Sequence, residues 1–415
     1  SDFMRARSTA DVCRGNLCAS KPHSPLLSRQ SPNHLAGGIP MKKLVFGACA
    51  LTLTGGIAAA NETDWSQLDQ DVQALSASVQ GLEGTGLVIG GRIRAAYENS
   101  GDIAVNAMED LGGFGLYNAR LFATGTTANN IGYRFEYDFA GGTSTAGGAS
   151  GSGVLLDAYL DIPVGADISI RAGQFRGFVL NESQIDSGNL FFFDRSVNAA
   201  AFAGRTNGLA VAGDFDAFNW GVTVQNGSSG IVGDSVGDDL FYAVRGGIAL
   251  LGEGTQAMEG AFGASEEMEA SAGVAYFNND SFDDGDGFAV EAALASSQFS
   301  VQANLLSAPD DIGALAGNAD FAERGTGLGA LIIGDGTPWS LQGTFMLTQP
   351  NSDYGAWEIG LRYQDLDDAA NTDAIDVGAN YYVDGHNMKY IINWTSIGSD
   401  LGDIDLIRIG VNTRI

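Results

Sequence analysis

Residues 133–139 read Tyr-Arg-Phe-Glu-Tyr-Asp-Phe, and this heptapeptide shows how most of the chain is built. Because neighbouring side chains of a β-strand point to opposite faces, its four aromatic residues share one face and its three charged residues share the other. Soluble β-sandwiches also alternate in this way. Here the alternation recurs along roughly 300 residues that follow an export signal. This combination favours a transmembrane β-barrel, whose outer face contacts lipid and whose interior is wet.

The export signal precedes the alternating region. Two lysines are followed by an apolar run at residues 44–53 and by three alanines that end at Ala60, which is the charged, apolar and small-residue order of a secretory signal. We interpret residues 41–60 as the signal peptide and residues 1–40 as a translated upstream extension. The mature chain is then expected to begin near Asn61.

Composition excludes several classes of protein. After residue 53 the sequence has no apolar run of the roughly 20 residues that a membrane-spanning helix requires. Residues 1–60 carry seven of the 21 basic and two of the 50 acidic residues, so residues 61–415 hold 14 and 48, a net charge of −34. Nucleic-acid binding needs a basic surface and is excluded. All three cysteines precede residue 61, so the mature chain has no disulfide or thiolate chemistry.

Residues 61–82 form a separate element ahead of the barrel. Asp64 stands where a helix N-cap belongs and Gly81 stands near the helix end. The apolar residues follow the spacing of a coiled coil, and they are Trp65, Leu68, Val72, Leu75, Val79 and Leu82. The pattern predicts a short periplasmic coiled coil that helps a homotrimer to assemble. A helix folded against its own barrel, or a linker, remains the alternative.

Residues 83–415 are predicted to form the barrel. Short turns alternate with longer loops, as in barrels with periplasmic turns and outer loops. A seventeenth candidate strand, at residues 324–334, conflicts with the even number of strands that a bacterial barrel requires, so one assignment between residues 250 and 335 is expected to be wrong. Sixteen strands are predicted, at 86–98, 112–126, 130–140, 153–163, 166–176, 206–215, 217–227, 239–251, 268–279, 287–296, 297–307, 338–348, 354–364, 375–384, 387–397 and 403–414.

The last predicted strand shows how the barrel closes. Ile407, Ile409 and Val411 share one face, whereas Arg408 and Asn412 lie on the other. An amphipathic strand at this position is expected to pair with the first strand.

The same alternation assigns basic residues to the inner face of the barrel. Most acidic residues instead fall in Gly- and Asn-rich segments that read as loops. A charge that faced lipid would cost about 2–4 kcal/mol at the bilayer midplane. Two interpretations remain open: an inner surface that favours anions, or arginines that pair with wall carboxylates such as Glu136, Asp138, Asp157 and Glu358 and stiffen the barrel. The predicted pore-lining residues are Arg92, Arg94, Arg120, Arg134, Arg171, Arg195, Arg205, Arg362 and Lys389.

Residues 177–205 form a long loop that is a candidate constriction. It contains Phe191-Phe192-Phe193-Asp194-Arg195, and three adjacent phenylalanines are unfavourable in water. We expect this segment to fold into the lumen and to bring Arg195 and Arg205 to the narrowest point. Packing at a subunit interface, with Arg195 bonded to Asp194 or to backbone carbonyls, is the alternative.

Several short motifs resemble the phosphate-selective porins of the O and P type. They are Asn118-Ala119-Arg120-Leu121, Phe135-Glu136-Tyr137-Asp138-Phe139-Ala140-Gly141, Arg171-Ala172-Gly173-Gln174-Phe175-Arg176, Asp194-Arg195-Ser196 with Phe202 and Gly204-Arg205, Gly355-Ala356-Trp357-Glu358 with Arg362-Tyr363, and Asn380-Tyr381-Tyr382. The resemblance covers about residues 84–415. It implies a sixteen-stranded trimeric porin of the bacterial outer membrane, often with an N-terminal coiled coil. It also implies passage of phosphate-like anions along lumenal Arg and Lys, with Arg120, Arg134, Arg171, Arg195 and Arg205 as pore residues.

The predicted function is therefore passive diffusion of small hydrophilic solutes, including anions such as phosphate. Lys389 is the single lysine after residue 60, so specificity for phosphate is not assumed. Lipid, lipopolysaccharide and other copies of the chain are the expected partners. Enzymatic activity is not expected, because the single histidine of the mature chain, His386, lies in a predicted tight turn away from the lumen centre.

A structural or adhesive barrel with acidic, cation-binding loops is the alternative function. Asp280, Asp283, Asp284 and Asp286 offer oxygen ligands of the kind that Ca²⁺ prefers. They lack the spacing of an EF-hand loop and its final glutamate. Apart from this possible Ca²⁺ site, no cofactor is expected.

Overall fold

The computed structural model describes residues 86–100, 112–140, 153–227, 240–255, 259–280, 285–307, 336–349, 355–368, 371–400 and 402–415. The extension, the signal peptide and the coiled coil at 61–82 all lie outside these residues, and so does the seventeenth candidate strand at 324–334. These four predictions are therefore left as predictions.

The described residues form sixteen strands, and each agrees within two residues at both ends with a predicted strand. The pattern of alternation was sufficient to place them because each strand is amphipathic and is bounded by turn residues. The strands are β1 Val88–Ser100, β2 Gly112–Thr126, β3 Gly132–Asp138, β4 Val154–Pro163, β5 Ile168–Arg176, β6 Arg205–Phe215, β7 Phe218–Asn226, β8 Leu240–Leu251, β9 Glu269–Asn279, β10 Asp286–Ala295, β11 Phe299–Ser307, β12 Trp339–Thr348, β13 Ala356–Asp365, β14 Asp373–Asp384, β15 Met388–Gly398 and β16 Ile404–Arg414.

These sixteen strands close into one antiparallel barrel in which every strand pairs with its neighbours in the sequence. The seam joins β1 to β16, as predicted, with Arg92 opposite Arg414 and Arg94 opposite Asn412. The Ile415 amide donates to the Gly91 carbonyl at 2.9 Å, and the Gly91 amide donates to the Ile415 carbonyl at 3.0 Å. Closure leaves no unpaired strand edge, which is the condition for a sheet to cross lipid.

The two faces of the wall differ as the alternation predicted. In β3, Phe135 is 46% exposed on the outer face, whereas Glu136 and Asp138 on the inner face are 2% and 1% exposed. The same rule holds in β15, where Tyr390 and Trp394 face outward and Lys389 is buried inside. Among the described residues, none of the helices is both long enough and apolar enough to cross a membrane.

Among the described residues, two connections depart from a simple barrel. At the end of the barrel where β1 begins and β16 ends, six of the seven connections have two to seven residues, but the connection from β8 to β9 spans residues 252–268. Short turns at this end are typical of the periplasmic side. At the opposite end, residues 177–204 join β5 to β6 and fold into the lumen. We call residues 177–204 the inner loop.

Candidate functional site: the lumen and its inner loop

The inner loop has a compact internal structure. It contains two short helices, α1 Asn181–Gln184 and α2 Val197–Ala201, with a single 3-10 turn at Ser187–Asn189 between them. The buried Glu182 carboxylate accepts hydrogen bonds from the amide and the hydroxyl of Ser196, both at 2.8 Å. It also accepts one at 2.7 Å from Asn304 of the wall. A single side chain thus joins the two arms of the loop and attaches them to β11.

The three phenylalanines at the tip of the loop pack against the inner wall. Phe191, Phe192 and Phe193 are all buried, as the sequence led us to expect. Gly360 of β13 and Gly378 of β14 make room for them. A Cβ atom at Gly360 would lie 2.5 Å from the Phe191 ring, and one at Gly378 would lie 3.0 Å from it. The wall therefore provides a pocket shaped by two residues that lack a side chain.

Polar groups of the wall hold the backbone of the same tip. Asn380 donates to the Phe191 carbonyl at 2.9 Å, and the Phe193 amide donates to the Asn393 side chain at 3.0 Å. The Lys389 ammonium donates to the Leu190 carbonyl. These bonds satisfy buried backbone groups that would otherwise be costly inside the barrel.

Eight of the nine predicted pore residues are buried, and six of these eight lie between the inner loop and the wall. Arg92 pairs with Asp186 of the loop, and the Arg94 guanidinium lies 3.9 Å from the centre of the Phe193 ring. Arg195 donates to the Ile185 carbonyl, which agrees with the alternative that it bonds to backbone. These contacts anchor the loop. The six residues are Arg92, Arg94, Arg120, Arg195, Arg362 and Lys389.

Arg120 and Arg362 show how tightly this region is paired. Arg120 lies 2.6 Å from Asp138 and 3.5 Å from Glu136. Arg362 lies 2.8 Å from Asp376 of β14 and donates at 2.8 Å to the Asp194 carbonyl of the loop. Buried guanidinium groups need such partners because an unpaired buried charge is strongly unfavourable.

The other three predicted residues line an open cavity of about 210 Å³ between the inner loop and strands β3 to β8. Arg134, Arg171 and Arg205 reach this cavity, together with Arg176 and Arg245. Sequence reasoning did not select the last two. The alternation rule applied to β8 would have found Arg245. Tyr242 and Val244 face outward, so the next residue, Arg245, faces inward. We call this cavity the arginine passage.

The guanidinium groups of the passage are held in fixed positions. Arg134 and Arg205 share the Asp157 carboxylate, at 3.1 Å and 3.0 Å. Arg171 makes two hydrogen bonds of 2.8 Å to Asp161 and lies 3.8 Å from the centre of the Tyr159 ring. Such bidentate and stacked contacts fix the plane of an arginine side chain.

Arg176 and Arg245 are held in different ways. Arg176 donates to the carbonyls of Ala203 and Ile185, both at 3.1 Å. Arg245 pairs with Glu291 and donates to Asn219 at 2.9 Å. The sequence left open whether the arginines attract anions or stiffen the wall. Their contacts with wall carboxylates are of the kind that the second alternative predicted.

The residues that line the passage include more arginines than carboxylates. Within the described residues its lining holds five arginines and three carboxylates, Glu136, Asp157 and Asp186. Burial alone would raise the pKa of Asp186, but the Arg92 guanidinium beside it keeps that pKa well below its usual range. Asp186 is therefore charged. The residues that line the cavity carry two more positive than negative charges, and Asp161 and Glu291, which pair with Arg171 and Arg245 from outside the lining, offset part of that excess.

A closed sixteen-stranded barrel, apolar outside and charged inside, with a loop folded across its lumen, defines a porin of the bacterial outer membrane. Residues 88–400 match the family described as phosphate-selective porin O and P, and the chain belongs to that family. The family makes the protein a channel for passive diffusion. No curated protein matches the chain.

Solved structures of porins are similar to this chain. OprB of Pseudomonas putida, solved at high pH, is similar with a TM-score of 0.53 and 10% identity, over 82% of this chain and 97% of that one. The outer-membrane channel DcaP of Acinetobacter baumannii has a TM-score of 0.49 and 16% identity, over 79% and 97%. A mutant of the Rh. blastica porin has a TM-score of 0.48 and 15% identity, over 79% and 100%. At this identity the likeness to OprB concerns the fold alone.

Half of the predicted Ca²⁺ ligands fall outside the described residues. Asp283 and Asp284 are not described, whereas Asp280 and Asp286 are. Within the described residues no three His, Cys, Asp or Glu side chains are grouped to hold a metal ion. His386 is half-buried in the turn between β14 and β15, and desolvation lowers its pKa to about 3.

Proposed function

We propose that this porin passes small hydrophilic solutes with a preference for small anions, phosphate among them, and that the anions travel through the arginine passage. The observation that carries the proposal is the excess of arginines over carboxylates along its lining. An acidic chain can still favour anions, because charges next to a narrow pore act on an ion more strongly than distant loop charges that salt screens.

The pairing of the arginines limits how strongly an anion is held. Arg134, Arg171 and Arg245 each already contact a carboxylate, so an arriving anion meets partly neutralised groups. Conduction requires sites that attract an ion but also release it. We therefore propose weak, general anion selection and no high-affinity phosphate site.

The test is the reversal potential of the purified mature protein in a planar bilayer under a KCl gradient. A potential that shows chloride to be more permeant than potassium is the expected result. A preference for potassium would contradict the proposal and would mean that paired carboxylates and acidic loops decide the selectivity. If chloride is preferred, a decrease in chloride current on addition of phosphate would show that phosphate uses the same pathway.

We also propose that the protein is a homotrimer in the outer membrane, in contact with lipid and lipopolysaccharide. The heptad pattern of residues 61–82 and membership of the porin family support this assembly. Native mass spectrometry in mild detergent should give the mass of three copies of the mature chain. Deleting residues 61–82 should lower the stability of that trimer, whereas a wild-type monomer would contradict the proposal.

A further inference from the structure

A second segment enters the lumen, from the periplasmic side. The connection between β8 and β9 turns inward at residues 259–264, which we call the inner turn. The Ala261 amide donates to the Glu358 carboxylate of β13 at 2.6 Å. The Phe262 ring stacks on Tyr382 of β14 with centroids 4.0 Å apart and planes at 16°. The inner turn is thus docked on the same part of the wall that receives the tip of the inner loop.

Glu259 connects these two inward segments. Its side chain is fully buried, and its carboxylate accepts hydrogen bonds from the Phe191 amide at 2.6 Å and the Phe192 amide at 3.3 Å. Its own amide donates to the Asn189 carbonyl at 3.3 Å. A single residue of the inner turn therefore binds the backbone of the inner loop on both sides of Leu190.

The charges around Glu259 do not fully compensate its burial. Arg362 of β13 lies 3.6 Å away but is shared with Asp376. Glu182 of α1 repels the carboxylate, whereas Gln342 of β12 favours its charged form. Burial raises the pKa of Glu259 to about 7, even though Arg362 opposes that shift.

Other titratable groups face the inner turn from neighbouring strands. Glu358 of β13 binds Ala261 and accepts a hydrogen bond from Tyr382 at 2.6 Å. Lys389 of β15 interacts electrostatically with both Glu259 and Glu358. Asp194 of the inner loop pairs with Arg408 of β16. His386 packs edge-on against Phe262 and is neutral at ordinary pH.

We propose that Glu259 is the positioning residue that latches the inner loop to the inner turn and keeps the phenylalanine tip out of the arginine passage. When the latch opens, Phe191–Phe193 leave their pocket at Gly360 and Gly378 and move toward the free volume of the lumen. The passage then closes for as long as the tip stays there. Such a latch sets the open probability of the channel, whereas the arginines set which ions pass.

The latch has a defined dependence on pH. In the latched state the pKa of Glu259 is raised to about 7, whereas in the released, hydrated state it returns toward its ordinary value of 4.5. The latched state therefore binds a proton more tightly than the released state. By linkage, the latched state is favoured most at pH values below the pKa that Glu259 has in the released state. This advantage declines as the pH rises to the pKa that Glu259 has in the latched state. Raising the pH should thus favour release.

The experiment is single-channel recording of the full mature protein at pH values on both sides of about 7. The wild type should close more often as pH rises. Glu259→Gln keeps an oxygen that accepts both amides but carries no charge, so it should close rarely at every pH. Glu259→Ala removes the acceptor. At every pH it should close roughly tenfold more often than the wild type does at low pH, because buried amide donors lose their hydrogen bonds.

Glu267→Gln is the matched control, because it removes one carboxylate from the same connection at an exposed position. It should keep the wild-type dependence on pH. The inference is overturned if Glu259→Gln retains that dependence, or if Glu259→Ala stays as steadily open as wild type. Closure frequency is independent of reversal potential, so a cation preference would contradict the proposed anion selection and leave the latch standing.

Discussion

At the scale of single residues, the passage is a set of charge pairs whose two members can be removed separately. Arg245 on β8 and Glu291 on β10 form one such pair at the edge of the passage. Glu291 also accepts the Asn181 amide of α1 at 2.6 Å. The pair therefore joins two strands and the inner loop while it contributes both signs of charge to the lumen.

Changing one member of this pair should move selectivity in a direction set by the charge removed. Arg245→Gln should lower the ratio of anion to cation permeability, and Glu291→Gln should raise it. One charge at about 4 Å in water is worth about 1 kcal/mol, or a factor of roughly five in local ion concentration. Reversal potentials of the two variants measure the ratio. Shifts of the same sign would mean that the pair acts through structure and not through charge.

At the scale of elements, the barrel wall and the inner loop are fitted to each other. Lys389, Asn380 and Asn393 lie on two adjacent strands and meet the loop backbone between Leu190 and Phe193. Strand alternation predicts that these side chains face inward, but not that a loop joined to β5 and β6 reaches them. Their role as loop anchors follows from a packing of distant segments.

Filling the pocket of the phenylalanine tip should weaken this fit. In Gly360→Ala the new methyl group would meet Phe191 and Thr344, so overpacking should cost about 1–3 kcal/mol. Gly343→Ala on β12 is the control, because the nearest atom to its Cβ would be 3.7 Å away. Thermal unfolding and proteolysis of the inner loop in detergent should separate the two variants. Equal behaviour would mean that the tip does not depend on its pocket.

At the scale of the whole molecule, a β-barrel is stable in lipid only if its outer face stays apolar along its depth. On β16, Ile409 lies near the middle of the strand and is 53% exposed, whereas Asp405 lies on the same face near one end. An apolar side chain is thus required at Ile409, whereas a charged side chain is tolerated at Asp405.

Lysine at these two positions should have very different costs. Ile409→Lys should lower the free energy of unfolding by about 2–4 kcal/mol, and Asp405→Lys by about 0–1 kcal/mol. Urea-induced unfolding from liposomes measures both values. A smaller effect at Ile409 than at Asp405 would show that the barrel sits in the membrane at another depth.

The sequence by itself determined the strands, their faces and the β1–β16 seam. Those features depend on a period of two residues and on local turns, which any single strand displays. It also indicated that Phe191–Phe193 are buried, because three phenylalanines exposed to water are unfavourable.

Only the tertiary structure separated two groups of arginines that look alike in sequence. Arg134, Arg171 and Arg205 line the passage, whereas Arg120 and Arg362 face the same lumen but are covered by the inner loop. The bond between Glu259 and the loop likewise joins segments 68 positions apart. Alternation tells which way a side chain points. Which inward side chains line the cavity depends on how two connecting segments fill the space between strands, and no local pattern encodes that.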